Sequence, residues 1–164
     1  MPAGEALLVK YLRRAYHAVD GLWFLKVEEA TDFEQALEVD RQVWEILAKI
    51  QAREARRLLG VEGNSPEELR RCLNLKFGAD GHDFEVDLDA EGLRVLIRDC
   101  PWRELLAKSK REHLGQRIAE TICMTEGRVW CQEFGGAYEF EISELGCAGG
   151  EQCEMRFRAQ ADRA

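Results

Sequence analysis

Apolar residues recur at helical spacing through Leu8, Leu12, Ala15, Val19 and Leu22, which predicts a first helix from Glu5 to about Glu29. Thr31 or Asp32 restarts the chain, and a broad apolar band of Phe33, Leu37, Val43, Trp44, Leu47 and Ile50 carries a second helix to Leu59, where Gly60 stops it as a C-terminal cap. Two long helices in succession, each with an apolar side, pack as an antiparallel hairpin. Ser65, Pro66 and Glu68 then supply an N-cap, a first-turn proline and a capping-box acid, so a short helix is expected through Phe77, stopping at Gly78.

The period changes at His82. Phe84, Val86 and Leu88 alternate with charged residues, Ala90 to Gly92 offers a turn, and Leu93, Val95 and Ile97 alternate again, the pattern of a half-buried antiparallel hairpin. Pro101 opens a helix expected to run through Leu105, Leu106, Leu114, Ile118 and Ile122 to Cys123, followed by a further helical segment with Val129, Trp130 and Phe134 that stops at Gly135 and Gly136. Tyr138, Phe140 and Ile142, then Met155 and Phe157, alternate on either side of a glycine turn as a second hairpin. The fold class read from this order is α+β: an N-terminal helical hairpin, then an antiparallel sheet of two hairpins with intervening helices. Residues 1–78 form the helical part and 79–164 the α+β part of one integrated domain.

A chain of 164 residues can bury a real core without disulfides. Its six cysteines, with no charged and apolar leader before them, point to a reducing cytoplasm and to thiols used for ligation or packing. A formal net charge of −8 opposes a phosphate backbone, so nucleic acid is not an expected partner, and the apolar stretches are too short for membrane insertion. The basic run Lys108, Lys110, Arg111 and Arg117 reads as a solvated helix face. There is no Gly-rich phosphate loop, H-E-x-x-H pair or G-x-S-x-G elbow.

The chemistry-bearing stretch is the end of the chain. Glu144, Cys147 and Cys153 stand as E-x2-C-x5-C beside Gly149 and Gly150, and Cys123 precedes them on a helical segment. Soft thiolates and a carboxylate around a tight turn can provide the roughly four ligands of a zinc ion, or of iron or another thiophilic metal. Cys131 is a spare candidate for the place of Glu144, and Cys72 reads as structural.

From Cys123 through Gly127, Gly135 or Gly136, the strand into Glu144-Leu145-Gly146-Cys147, and on through Gly150, Cys153 and Phe157, the chain resembles the 4-vinyl reductase domain, a small-molecule-binding module. That resemblance covers roughly residues 82–160 and implies a zinc ion on Cys123, Glu144, Cys147 and Cys153, since sensor members of that family hold zinc at these positions. The run from Tyr16 to Phe24 and the Cys100-Pro101-Trp102 start are similar instead to uncharacterised proteins related to the aminothiazoline carboxylate hydrolase family, which implies hydrolysis of a small cyclic amide-like substrate.

Trp102, Leu106, Ser109 and His113 fall at i, i+4, i+7 and i+11 and so share one face of the expected helix, a candidate wall for an apolar or aromatic ligand, with Trp130 beside them. Cys100 at a helix start is placed as a nucleophile or spare ligand, and His17 and Asp20 are one turn apart, spaced for a local hydrogen bond or a catalytic pair. The expected function is a zinc-containing, cytoplasmic small-molecule-binding protein. The alternative is a hydrolase with Cys100 or a metal-activated water as nucleophile and His113 or His17 as base. Trp23, Phe24, Phe33 and Trp44 spread over a wider arc than one core-facing stripe needs, which predicts a homodimer.

Overall fold

The computed structural model describes residues 4–160. The elements are α1 (Glu5–Ala30), α2 (Phe33–Leu59), α3 (Pro66–Asp80), β1 (Asp83–Asp89), β2 (Gly92–Asp99), α4 (Pro101–Lys108), α5 (Gly115–Glu133), β3 (Tyr138–Glu144) and β4 (Cys153–Ala159). The fold is α+β, with the two hairpins joined into one antiparallel sheet of order β1-β2-β4-β3. The second hairpin inserts its return strand against β2, so Leu93 pairs with Phe157 and Ile97 with Cys153. Val95, Phe157 and their neighbours face Leu69, Leu73 and Phe77 of α3, Trp130 of α5 and Phe134 just after it, and Ala48, Ala52 and Ala55 of α2 belong to the same core. No helix among the described residues is long and apolar enough to cross a membrane.

Local chemistry explains the helix limits. The Asp32 carboxylate accepts from the Gln35 N–H at 2.9 Å to start α2, and Gly60, at φ 60°, takes the left-handed conformation that ends it. Ser65 and Glu68 form the expected capping box of α3. That helix passes the expected stop at Gly78 and ends at Gly81, where the left-handed turn occurs (φ 88°). A glycine inside a helix costs only about 1 kcal/mol, and Arg13 of α1 binds the last carbonyls, of Gly78 at 2.7 Å and Ala79 at 2.8 Å.

The helix expected from Pro101 to Cys123 is two helices. Ser109 turns its hydroxyl back onto the carbonyls of Leu105 and Leu106, and Lys110 follows in a left-handed conformation, φ 58°. After a 3-10 turn at Glu112–Leu114, α5 runs without a break past Cys123 to Glu133. Its first residue must be small: a Cβ on Gly115 would stand 2.8 Å from the Cys147 carbonyl oxygen. The start of α5 is thereby pressed onto the glycine turn between β3 and β4.

The first helix is turned about relative to expectation. Leu8, Leu12, Val19 and Leu22, its apolar stripe, face solvent, while Tyr16, His17 and Asp20 point inward and His17 is its one buried residue. α2 also leaves Val43, Ile46 and Ile50 exposed. Of the four aromatic residues expected to spread outward, Trp44 is buried, Phe24 and Phe33 pack on each other at 5.9 Å, and Trp23 remains on the surface.

Candidate functional site

The inward side of α1, the start of α4 and the middle of α2, α3 and α5 meet around the indole of Trp102. Pro101 sets the first turn of α4, and the next residue projects into this junction. The indole N–H donates to the Asp20 carboxylate at 2.7 Å. His17 lies 4.7 Å from the Trp102 ring, Trp44 5.5 Å away edge-on, His82 5.7 Å away stacked, and Tyr16 6.0 Å away edge-on. An aromatic cage of this kind combines apolar area with electron-rich ring faces.

Two cavities adjoin the cage. The inner one, of about 110 Å³, runs from Asp20, Asp40 and Trp44 past Ile122 to the cysteines near the glycine turn. The outer one, of about 370 Å³, lies between α1 and α4 and is lined by Phe24, Leu25 and Leu105. They share Asp20, Asp40, Trp102, Leu106 and Ile118. Their walls are mainly apolar with a few buried polar groups, the usual character of a small-molecule site.

The polar groups are strongly perturbed. Lys76, with a side chain only 5% exposed, bridges Glu126 at 2.9 Å and Asp80 at 3.2 Å, tying α3 to α5. Burial alone would lower its pKa, but the two carboxylates outweigh that and raise it. Burial raises the Glu126 carboxyl despite the Lys76 charge. Asp40, 7% exposed, is pushed up to about 7 by burial and then by the charge of Asp20. Its Oδ1 has no hydrogen-bond partner. Burial lowers both imidazoles, that of His82 to about 3 with help from the Lys76 charge. Both are therefore neutral near neutral pH.

The thiols gather at the far end of the inner cavity. Cys100, Cys123, Cys147 and Cys153 all line it. Cys147 and Cys153 are hydrogen-bonded to each other, and the Gly146 N–H donates to the Cys153 sulfur at 3.2 Å. The shared proton raises the Cys147 pKa and lowers that of Cys153. Burial pushes up the thiols of Cys100 and Cys123. Glu144 departs from this group: its carboxylate lies over Gly150, where a Cβ would stand 2.9 Å from Oε1. Among the described residues no three His, Cys, Asp or Glu side chains are already gathered closely enough to hold a metal ion.

Of the expected ligand wall, Trp102 and Leu106 line both cavities and Ser109 lines the outer one. His113 does not join them, because the break at Lys110 carries it to an exposed 3-10 turn. Trp130 is 1% exposed and stacks on Phe134 in the sheet core. Cys72 and Cys131 are core residues. His17 and Asp20 are not hydrogen-bonded to each other, since Asp20 takes the Trp102 N–H instead. Asp40, Lys76, Asp80, His82 and Glu126 had no place in the reading of the sequence, although a signal existed. Asp40 lies four residues from both Ala36 and Trp44, and Lys76 four from Cys72, so each charge falls on a buried helix face.

Residues 5–143 match the family of unknown function DUF6125, and the chain belongs to that family. The match takes in Trp102, Asp40, Lys76, Cys100 and Cys123, and ends before Cys147 and Cys153. No curated protein and no solved structure matches the chain.

Proposed function

We propose that this protein binds a small, largely apolar or aromatic molecule in the paired cavities around Trp102, and that a zinc ion, or another thiophilic metal, staples the thiol corner beneath them. The observation that carries the reading is the convergence of four cysteines and an aromatic cage on one cavity. Thiolate donors suit zinc, and their set is Cys100, Cys123, Cys147 and Cys153, with Cys100 in the place first given to Glu144. An ion there would draw the sulfurs together and link the start of α4, the middle of α5 and the β3–β4 turn. A site closed by four protein ligands is structural. The resemblance to the 4-vinyl reductase domain points the same way.

Elemental analysis of protein purified without added metal tests this. About one zinc per chain is expected, with loss of metal and of cooperative unfolding together in Cys147→Ser, because three thiolates hold the ion poorly and leave the turn unpinned. Metal-free protein whose unfolding is unaffected by Cys147→Ser would refute the staple.

One observation favours hydrolysis of a small cyclic amide-like substrate as a second reading: Asp40, with a pKa of about 7 on the cavity wall, suits general acid–base transfer. Cys100 is a poor nucleophile here, since burial raises its thiol. Turnover of a cyclic amide that is lost in Asp40→Asn would decide for this reading.

The homodimer is part of the same proposal. Leu8, Leu12, Val19 and Leu22 on α1 and Val43, Ile46 and Ile50 on α2 form two stripes that a second copy of the hairpin would cover. A patterned helical stripe facing water is what a self-complementary interface needs.

A further inference from the structure

The wall shared by the two cavities carries an uncompensated acidic pair. Asp20 projects from α1 and Asp40 from α2, and neither forms an ion pair among the described residues. The nearest cations are committed or peripheral. Lys76 is held between Asp80 and Glu126, Arg111 pairs with Glu28 at 2.7 Å, Arg103 lies over Gly146 by the thiols, and Arg14 is at the exposed mouth of the outer cavity. His17 and His82 are neutral. One oxygen of Asp40, in a residue more than nine-tenths buried, is left without a partner on the cavity wall.

We propose that the ligand is an organic cation, with an ammonium group seated between the Asp20 and Asp40 carboxylates against the indoles of Trp102 and Trp44, and with its apolar body in the outer cavity among Phe24, Leu25 and Leu105. This rests on the ligand-binding reading above and names the chemical class that the site takes. An ammonium donates up to three hydrogen bonds, so it can supply the partner that Asp40 Oδ1 lacks. It also meets ring faces, which attract cations most strongly when water is excluded. Trp102 is held for this by its own bond to Asp20 and by the stacked His82, and the indole lines both cavities. The outer cavity, at about 370 Å³, has room for a ligand the size of an arylalkylamine.

The test uses three probes of similar shape, phenethylammonium, 2-phenylethanol and 3-phenylpropanoate, titrated by calorimetry and tryptophan fluorescence. Salt is kept at about 0.15 M so that attraction to the acidic surface is screened. Phenethylammonium is expected to bind at least about tenfold more tightly than the alcohol, and the carboxylate more weakly than either. Asp40→Asn and Asp20→Asn, which keep size and shape, should each abolish the preference for the ammonium over the alcohol, the ratio of the two affinities being the readout, with cooperative unfolding checking that both variants fold. Equal binding of ammonium and alcohol, or undiminished ammonium binding in folded Asp40→Asn, would overturn the cation assignment and leave the ligand cavity standing. No binding by any probe would overturn both.

Discussion

Replacing Asp40 by Asn should make the protein more stable, by an amount that grows as pH rises from about 4 to about 7 and then stays constant. In the unfolded chain its carboxyl titrates near 3.8, and in the folded chain near 7, because it is buried and faces Asp20. The folded pKa is raised, so the folded state holds the proton longer and stability falls as pH rises between those two values. Below about pH 4 both states are protonated and the carboxyl costs nothing; above about pH 7 the cost is complete. Three pKa units at about 1.4 kcal/mol each give a ceiling of about 4 kcal/mol. Asparagine keeps the shape, removes the charge, and its amide can occupy the same site neutral. Urea unfolding followed by circular dichroism, on both proteins at about pH 5 and about pH 8, isolates the effect, since every other titrating group is common to the two. The variant should gain about 2–4 kcal/mol relative to the natural chain between those conditions. A difference that stays flat to within about 0.5 kcal/mol, or a variant less stable at the higher pH, would refute the assignment of Asp40 as a strained buried acid.

Lys76→Met should destabilise the fold by about 3–5 kcal/mol, because it leaves the buried carboxylates of Asp80 and Glu126 without their cation. Adding Glu126→Gln to that variant should restore part of the loss; chemical denaturation of both measures it. Trp102→Ala, which keeps the backbone N–H beside the Cys100 sulfur, should abolish binding of an aromatic probe while the metal content at the thiols is unchanged, with calorimetry and elemental analysis read on the same sample. Undiminished binding by this variant would move the ligand away from the cage. Leu12→Glu on the exposed stripe should turn a dimer into a monomer in sedimentation at micromolar concentration, and a natural chain that is already monomeric there would refute the dimer.

The sequence carried the strands and caps plainly, because alternation and capping chemistry are local. Ser65 with Glu68 and Gly60 act where they were expected to act. It misled where two signals competed. Helical spacing continued from Leu106 across Ser109 to Leu114, and nothing in the pattern shows that Lys110 would accept a left-handed backbone. His113 left the expected ligand wall for that reason alone. The stripe on α1 was legible as a stripe, but periodicity tells only that one side of a helix is apolar, not whether that side meets the core. The inner wall of the site was hidden because it is built from charges, which a search for a core passes over. That Cys100 lines the cavity with the other thiols while Glu144 does not was hidden for a different reason: which residues converge depends on the pairing of β2 with β4, a contact between segments far apart in the chain.

The reversed attitude of α1 has a thermodynamic consequence. This helix places a single buried residue into the body of the protein, and it is held to it by Arg13 on the end of α3, by Arg111 reaching Glu28, and by the bond between Trp102 and Asp20. It is also one wall of the outer cavity. The proposed ligand, lodged against that wall, would add contacts between α1 and α4, and the proposed second copy, lying on the outer stripe, would hold the same helix from its other side. If the proposed ligand and the proposed second copy both favour the docked helix, linkage requires each to strengthen the other by the same factor. Dilution would loosen the helix and release the ligand, and a saturating ligand would shift the association equilibrium toward the paired form.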